Sequence, residues 1–248
     1  MSCNKNNNFD IYCAKLKELC RTCSEMQSKE VIYSKTINGT YQLSGRVKDF
    51  GSKVIDKGNR RIEEPNCVNG VFFMLQANGK TYPTSILYSD GIAYQSKANH
   101  LPYPQSVFIV NKDNTVYMKT IHNLNKLDLN KVKLAIGGVG LRNTLDKSFI
   151  YSPAAEGFSG KYSDVLRKAN KTVIGYNKSE DKIYLMCRPS IYHKNAYQYD
   201  LLTLVKDCEY DIAISLDGGG STFMNNATDM VLKGDGRAIF NIVGFNLN

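Results

Sequence analysis

Residues 211–222 read Asp-Ile-Ala-Ile-Ser-Leu-Asp-Gly-Gly-Gly-Ser-Thr, an apolar run that ends in three consecutive glycines. The run Asp211–Leu216 has the length and the branched side chains of a buried strand. Glycine takes positive φ without strain and leaves backbone N–H groups uncovered, so Gly218–Gly220 can form a concave bend that binds an anion. Asp217 at one end and the Ser221 hydroxyl at the other complete a polar cup. A plain turn capped by the aspartate is the alternative, and the residues alone leave both interpretations open.

Short runs of β-branched and aromatic residues precede and follow this stretch. Val31–Thr36 and Thr40–Val47 flank an Asn-Gly pair, which predicts a β-hairpin. One helix is predicted over Tyr197–Cys208. The other predicted strands are Val68–Leu75, Ser85–Tyr88, Ser106–Val110, Thr115–Lys119, Val132–Ile136, Thr172–Tyr176, Ile183–Cys187, Ser221–Asn225 and Arg237–Phe245. So many strands with so few helices predict an α+β domain built on a mixed, largely antiparallel sheet.

The first thirty residues have a different pattern. Apolar residues recur there at three- and four-residue steps with charged residues between them, which predicts an amphipathic helix. Thirty residues bury little core alone, so residues 1–30 are interpreted as a helical extension appended to one domain over residues 31–248.

Composition narrows the class of protein. The chain has 248 residues, a formal charge of +9 and 42% hydrophobic residues, which suits a globular domain that attracts anionic partners. The sequence shows neither an apolar run of membrane-spanning length nor a signal peptide, and its seven cysteines are an odd number. These features predict a cytoplasmic protein with reduced thiols and no membrane association.

Two further motifs carry candidate residues. Ala135–Gly140 runs from a strand into glycines but lacks the Gly-Lys-Ser/Thr of a phosphate-binding P-loop. Asn69–Phe73 places an asparagine and a glycine before two aromatics, which suits a pocket wall or a plain strand end. The three histidines and the pair Cys20-x-x-Cys23 lack the spacing of a zinc site, so no metal site is predicted.

These motifs occur in an order that resembles the phosphodiester glycosidase family. The resemblance covers about 180 residues from Asn69 onward, and its most specific part is the Asp-Gly-Gly-Gly-Ser motif followed by Arg237-x-x-x-Asn241. The family usually has Arg-Thr where this chain has Lys171-Thr172, which keeps the charge but loses the guanidinium fork that fits a phosphate.

The resemblance implies a set of site residues. Asp217 lies on a motif position and is the predicted catalytic carboxylate. Glu156 lies outside the motif positions and is a second candidate only because the sugar side of the reaction needs a carboxylate. The positions carried over as substrate-binding are Asn69, Gly138 beside Gly137, Thr172, Gly218, Gly219, Gly220, Ser221, Arg237 and Asn241, and Lys171 is added to them in place of the family's arginine. No cofactor is predicted, although a divalent cation stays open.

The function that follows is hydrolysis of the glycosidic bond of a sugar 1-phosphodiester, either a glycan-phosphate or a nucleotide-linked sugar. Lys171 and Arg237 would hold the phosphate and Asp217 would face the sugar. The alternative is a non-catalytic protein that sequesters a phosphorylated sugar or nucleotide. Nucleic-acid binding ranks last, because the basic residues form no block and no such motif is present.

Overall fold

The protein is described by a computed structural model over residues 31–35, 39–55, 64–75, 77, 79–94, 103–158, 165–190 and 200–247. The predicted N-terminal helix and the first part of the predicted helix Tyr197–Cys208 lie outside these ranges. The remainder of the latter forms helix α1 (Asp200–Asp207). None of the helices in the described part of the chain has both the length and the apolar character needed to cross a bilayer.

Short strands make up most of the described structure. In chain order they are β1 (Ile32–Lys35), β2 (Tyr41–Arg46), β3 (Phe50–Val54), β4 (Cys67–Asn69), β5 (Phe73–Leu75), β6 (Thr81–Pro83), β7 (Leu87–Ser89), β8 (Ile92–Ala93), β9 (Gln105–Asn111), β10 (Val116–Ile121), β11 (Val132–Asn143), β12 (Lys171–Asn177), β13 (Lys182–Arg188), β14 (Ile212–Ser215), β15 (Met224–Asn225), β16 (Met230–Leu232) and β17 (Asn241–Phe245).

These strands form two main sheets. The larger has ten strands in the order β1-β2-β13-β12-β14-β11-β7-β8, with β9 paired to β11 and β10 paired to β9. The smaller has the order β16-β15-β4-β17-β3, and β5 and β6 form a separate hairpin. All the strand pairs found within the described ranges are antiparallel. The largely antiparallel sheet is therefore confirmed, whereas the parallel pairs of a mixed sheet are not found in this part of the chain.

The two sheets share one hydrophobic core. Ile174 and Ile214 of the large sheet are fully buried in the same cluster as Val68, Val243 and Phe245 of the small sheet. The opposite face of the large sheet is covered by α1, whose Leu201 and Val205 pack in a second cluster with strand residues. Such burial is the main favourable term in folding, and it fixes where the ends of β4, β12 and β14 meet.

Several predicted strands have different bounds in the structure. Val68–Leu75 is two strands, β4 and β5, because the chain turns between them where the Val71 amide donates to the Asn241 side chain. Arg237–Phe245 is extended strand only from Asn241, since the Arg237 amide donates to Asp235 instead of to a neighbouring strand.

The glycines of Ala135–Gly140 lie inside β11, which continues to Asn143, and do not end the strand as the sequence suggested. A Cβ on Gly138 would collide with the Ser215 carbonyl oxygen of neighbouring β14. Close approach of two strands therefore accounts for this glycine without a turn.

Candidate active site

The triple-glycine bend lies where the two sheets meet. After β14 the Leu216 amide donates to the Thr172 carbonyl at 2.9 Å, and the Asp217 amide donates to the Gly70 carbonyl at 3.3 Å. The first bond ties the bend to the large sheet, and the second ties it to the chain that leaves β4 of the small sheet. Asp217 is thereby held at the junction of the sheets.

Asp217 is partly exposed as a residue, but its carboxyl group is buried and has a raised pKa. Burial of its carboxyl group disfavours the charged form and raises the pKa to about 6, against hydrogen bonds from the Ser221 hydroxyl and the Gly218 amide and the charge of Arg237. The aspartate therefore does cap the bend, and it also retains an electrostatic contact with a cation. A carboxyl group with a pKa close to neutrality is typical of functional sites.

The bend itself is a short 3-10 turn over Gly219–Ser221. Gly219 has φ of +61°, and a Cβ built there would meet nothing within 4 Å, so this side of the bend faces open space. The Gly219 amide donates to the Asn170 carbonyl at 2.9 Å. Within the described residues, the Ser221 and Thr222 amides donate to the Gly218 and Gly219 carbonyls, and no acceptor outside the turn is found for the Gly220 amide.

Arg237 lies against the bend. Its Nε donates to both Asp235 carboxylate oxygens, at 3.0 and 2.9 Å, and its Nη2 pairs with Asp235 Oδ2. A Cβ on Gly220 would collide with that carboxylate and with the guanidinium, so both groups sit directly on the glycine. The arginine is about half exposed, and its charge acts on Asp217.

Lys171 has a different environment. Its side chain is almost fully buried, and Nζ donates to the Val165 carbonyl at 2.5 Å. Burial lowers the pKa of this lysine to about 8. Its backbone borders the bend, since a Cβ on Gly218 would lie 4.0 Å from the Lys171 Cα. The ammonium group is thus engaged with the loop before β12, while Arg237 is engaged with Asp235.

Asn69 and Thr172 meet below the bend as a buried polar pair. The Thr172 hydroxyl donates to Asn69 Oδ1 at 2.7 Å, and Asn69 Nδ2 donates to the Asp217 carbonyl oxygen at 2.7 Å. Both residues are essentially inaccessible to water. The backbone of Asp217 is therefore held by Asn69, which Thr172 holds in turn.

Asn241 has a supporting position. Its Oδ1 accepts from the Val71 amide and its Nδ2 donates to the Ser52 hydroxyl, both at 2.9 Å. A Cβ on Gly70 would collide with its side chain. These contacts fix the turn that directly follows Asn69 at the end of β4.

Glu156 lies apart from the contacts around Asp217. Its carboxylate accepts from the Ser106 amide at 2.7 Å and from the Gly140 amide at 3.2 Å, and the side chain is buried. Burial raises the pKa of Glu156, while these hydrogen bonds act in the opposite direction. Its recorded contacts join the loop after β11 to strands β9 and β11.

Two contributing residues were missed from the sequence. Asn170 accepts from the Gly219 amide and its side chain reaches the Gly219 carbonyl and the Ser190 amide. Asp235 holds Arg237. The sequence signal for Asn170 was its place directly before the Lys171-Thr172 pair. The signal for Asp235 was the Asp-Gly pair, since such turns place a carboxylate near the following amides.

No group of three His, Cys, Asp or Glu side chains suited to a metal ion is found in the part of the chain that the structure describes. A half-exposed guanidinium beside a glycine bend suits an anionic ligand, and the neighbouring carboxyl group of raised pKa suits proton transfer. The fold and these residues thus define a β-sheet protein with a candidate anion-binding site at the glycine bend.

Comparisons with known proteins identify the family. The phosphodiester glycosidase family model matches residues 66–246, so the chain belongs to that family, as the resemblance predicted. The catalytic domain of zebrafish N-acetylglucosamine-1-phosphodiester alpha-N-acetylglucosaminidase, auto-inhibited by its pro-peptide, has a similar fold at 15% identity and a TM-score of 0.60, covering 88% of this chain and 82% of that chain. A hypothetical protein from Synechocystis matches at 10% identity and a TM-score of 0.48 over 86% and 61% of the two chains. No curated protein sequence matched.

Proposed function

We propose that this protein hydrolyses the bond between a sugar's anomeric carbon and the oxygen of a phosphodiester. The observation that carries the proposal is the placement of the Asp217 carboxyl, with its raised pKa, within the electrostatic reach of Arg237 on an open glycine bend. Family membership supports the same class of reaction.

In this reaction Arg237 and the Gly220 amide bind the phosphate and neutralise its charge. The leaving group is a phosphate monoester, which needs neutralisation of charge more than protonation. Removing one well-placed donor from such a site costs about 3 kcal/mol of transition-state stabilisation. Lys171 is the weaker choice, because its ammonium group already donates to the Val165 carbonyl.

The sugar side falls to Asp217. Glycosidases use carboxylates to stabilise an oxocarbenium-like centre or to activate water. A pKa of about 6 allows Asp217 to be charged at neutral pH while remaining basic enough to accept a proton. Glu156 is less suited, since the backbone amides of Ser106 and Gly140 already donate to its carboxylate.

A second candidate is a binding protein that holds a phosphorylated sugar or nucleotide without turnover. The observation in its favour is that both predicted cations already have protein partners, Val165 for Lys171 and Asp235 for Arg237. A site that relies on one half-exposed arginine is sufficient for binding an anion but supplies less neutralisation in a transition state.

The deciding experiment measures release of free sugar from UDP-N-acetylglucosamine, other nucleotide-linked sugars and teichoic-acid-like fragments. Wild-type protein is compared with Asp217→Asn and with Asp211→Asn. The second variant is the matched control, because Asp211 directly precedes β14 while Asp217 follows it. We expect release by the wild type and by Asp211→Asn, and a loss of about 100-fold or more in Asp217→Asn. Heat stabilisation by these compounds without any sugar release would favour the binding protein.

A further inference from the structure

The Asp235 carboxylate makes every recorded hydrogen bond of the Arg237 side chain within the described residues. It accepts from Nε and Nη2 of the guanidinium and also from the Arg237 backbone amide at 3.0 Å. Gly236, between the two residues, has φ of +80°, which lets the chain fold back on itself. The Asp235 amide in turn donates to the Gly220 carbonyl at 2.9 Å. Asp235 therefore connects the arginine to the glycine bend.

This ion pair is poorly placed to stabilise the fold. The side chains are 45% and 49% exposed, and exposed ion pairs contribute little to folding because water and salt screen them. The close fit on Gly220, where any Cβ would collide with both side chains, needs another physical reason. Such a fit fixes the position of the guanidinium relative to Asp217.

The contacts also determine which edge of the guanidinium is left open. Asp235 occupies the edge formed by Nε and Nη2. Nη1 has no acceptor in the described part of the chain, so the edge formed by Nη1 and the second Nη2 hydrogen is available. Two parallel N–H groups on one edge match the two oxygens of a phosphate.

We infer that Asp235 is a positioning residue that orients Arg237 so that its open edge binds the phosphate of the substrate. This inference rests on the proposed function for the identity of the substrate, but the contacts that support it are independent of turnover. Asp235 does not touch the phosphate, and its own negative charge opposes binding of an anion. If Asp235 favours binding, the gain from orienting the guanidinium must exceed this repulsion. Replacing Asp235 by asparagine must then weaken phosphate binding.

The test measures the dissociation constant of inorganic phosphate by calorimetry with the full chain, alongside kcat and KM for UDP-N-acetylglucosamine. The variants are Asp235→Asn, Asp235→Glu, Arg237→Ala and the double variant Asp235→Asn with Arg237→Ala. The matched control is Asp49→Asn, because Arg46 pairs with Asp49 through the same Nε and Nη2 atoms far from the bend in sequence.

We expect Asp235→Asn to weaken phosphate binding about tenfold, Asp235→Glu to recover part of the loss, and Asp49→Asn to leave binding within about twofold. KM should rise more than kcat falls. In the Arg237→Ala background Asp235→Asn should cause no further loss, because there is no guanidinium left to orient.

Unchanged or tighter phosphate binding in Asp235→Asn would overturn the inference, since the carboxylate would then merely compete with the ligand. Additive losses in the double variant, or a wild type that does not bind phosphate, would also overturn it. Phosphate binding that depends on both residues, in a protein that releases no sugar, would support the inference while contradicting the proposed function.

Discussion

The buried carboxyl group of Asp217 makes the stability of the fold depend on pH. Its raised pKa means that the folded protein holds a proton on this group at a pH where the unfolded chain has lost it. From pH about 4, near the ordinary value, up to about 6, the native state therefore loses stability as the pH rises. Above pH 6 the native state keeps the charged carboxylate at a cost in stability.

Asp217→Asn should remove this pH dependence. We expect the free energy of unfolding of the variant, relative to the wild type, to be about 1 kcal/mol higher at pH 7.5 than at pH 4.5 after allowing for partial exposure to water. Urea unfolding followed by circular dichroism at both pH values measures the difference, and groups common to both proteins cancel. The opposite sign would mean that the native site favours the charged carboxylate.

The Thr172 hydroxyl is the second single group whose removal has a definite expected effect. Its buried hydroxyl donates to Asn69 Oδ1, whose other recorded donor, the Phe223 amide, is 3.4 Å away. Thr172→Val keeps the shape but leaves the oxygen poorly satisfied, so the free energy of unfolding should fall by about 1–2 kcal/mol. Sugar release should fall with it, because Asn69 holds the Asp217 backbone.

Thr172→Ser is the matched control, since it retains the hydroxyl and loses a methyl group. Its sugar release should stay closer to the wild type than that of Thr172→Val. If the two variants lose activity equally, the hydroxyl is not the group that matters, and packing of the threonine methyl is the better explanation.

Among the structural elements, the glycine bend shows that Gly218 and Gly219 are favoured for different reasons. A Cβ on Gly218 would lie 2.5 Å from the Asn170 carbonyl oxygen, which is backbone and cannot swing away. A Cβ on Gly219 meets open space, and its cost is the positive φ of the residue. Sequence alone treats these glycines alike, whereas the structure separates a steric requirement from a conformational one.

Gly218→Ala should accordingly be the more damaging of two neighbouring substitutions. We expect Gly219→Ala to lower the free energy of unfolding by about 1 kcal/mol through backbone strain. Gly218→Ala should cost more than this and should also reduce sugar release, because the displaced chain carries Asp217. Thermal unfolding and activity assays measured on both variants test the order, and a reversed order would contradict the geometry around Asn170.

Local pattern was sufficient for elements whose hydrogen bonds are regular. The hairpin of β1 and β2 follows from alternation around an Asn-Gly pair, and β12 and β13 follow from short apolar runs closed by turn residues. The breaks at Gly70 and at Arg237 were not predictable, because each depends on a side chain distant in sequence or on a local bond to Asp235. Periodicity reports which face is buried but not where a side chain replaces a strand as hydrogen-bond partner.

At the scale of the whole molecule, the site exists because two sheets bring distant segments together. Asn69, Thr172 and Asp217 lie far apart in the chain yet form a continuous set of hydrogen bonds. The family motif predicted that these three residues would lie together, since motif residues tend to share a site. Their division of labour could not, because nothing in the sequence shows that Lys171 reaches Val165 while Arg237 reaches Asp235.

The net positive charge of the chain should affect how fast an anionic substrate is captured. A formal charge of +9 draws an anionic substrate toward the protein over a distance that salt shortens. We expect kcat/KM for UDP-N-acetylglucosamine to fall at least about threefold between 50 and 500 mM NaCl, with kcat nearly constant. The neutral sugar released in the assay serves as the comparison ligand, because its inhibition constant should change little over the same range. Equal salt dependence for both compounds would mean that salt alters the site itself, and the basic surface would then have no part in capturing substrate.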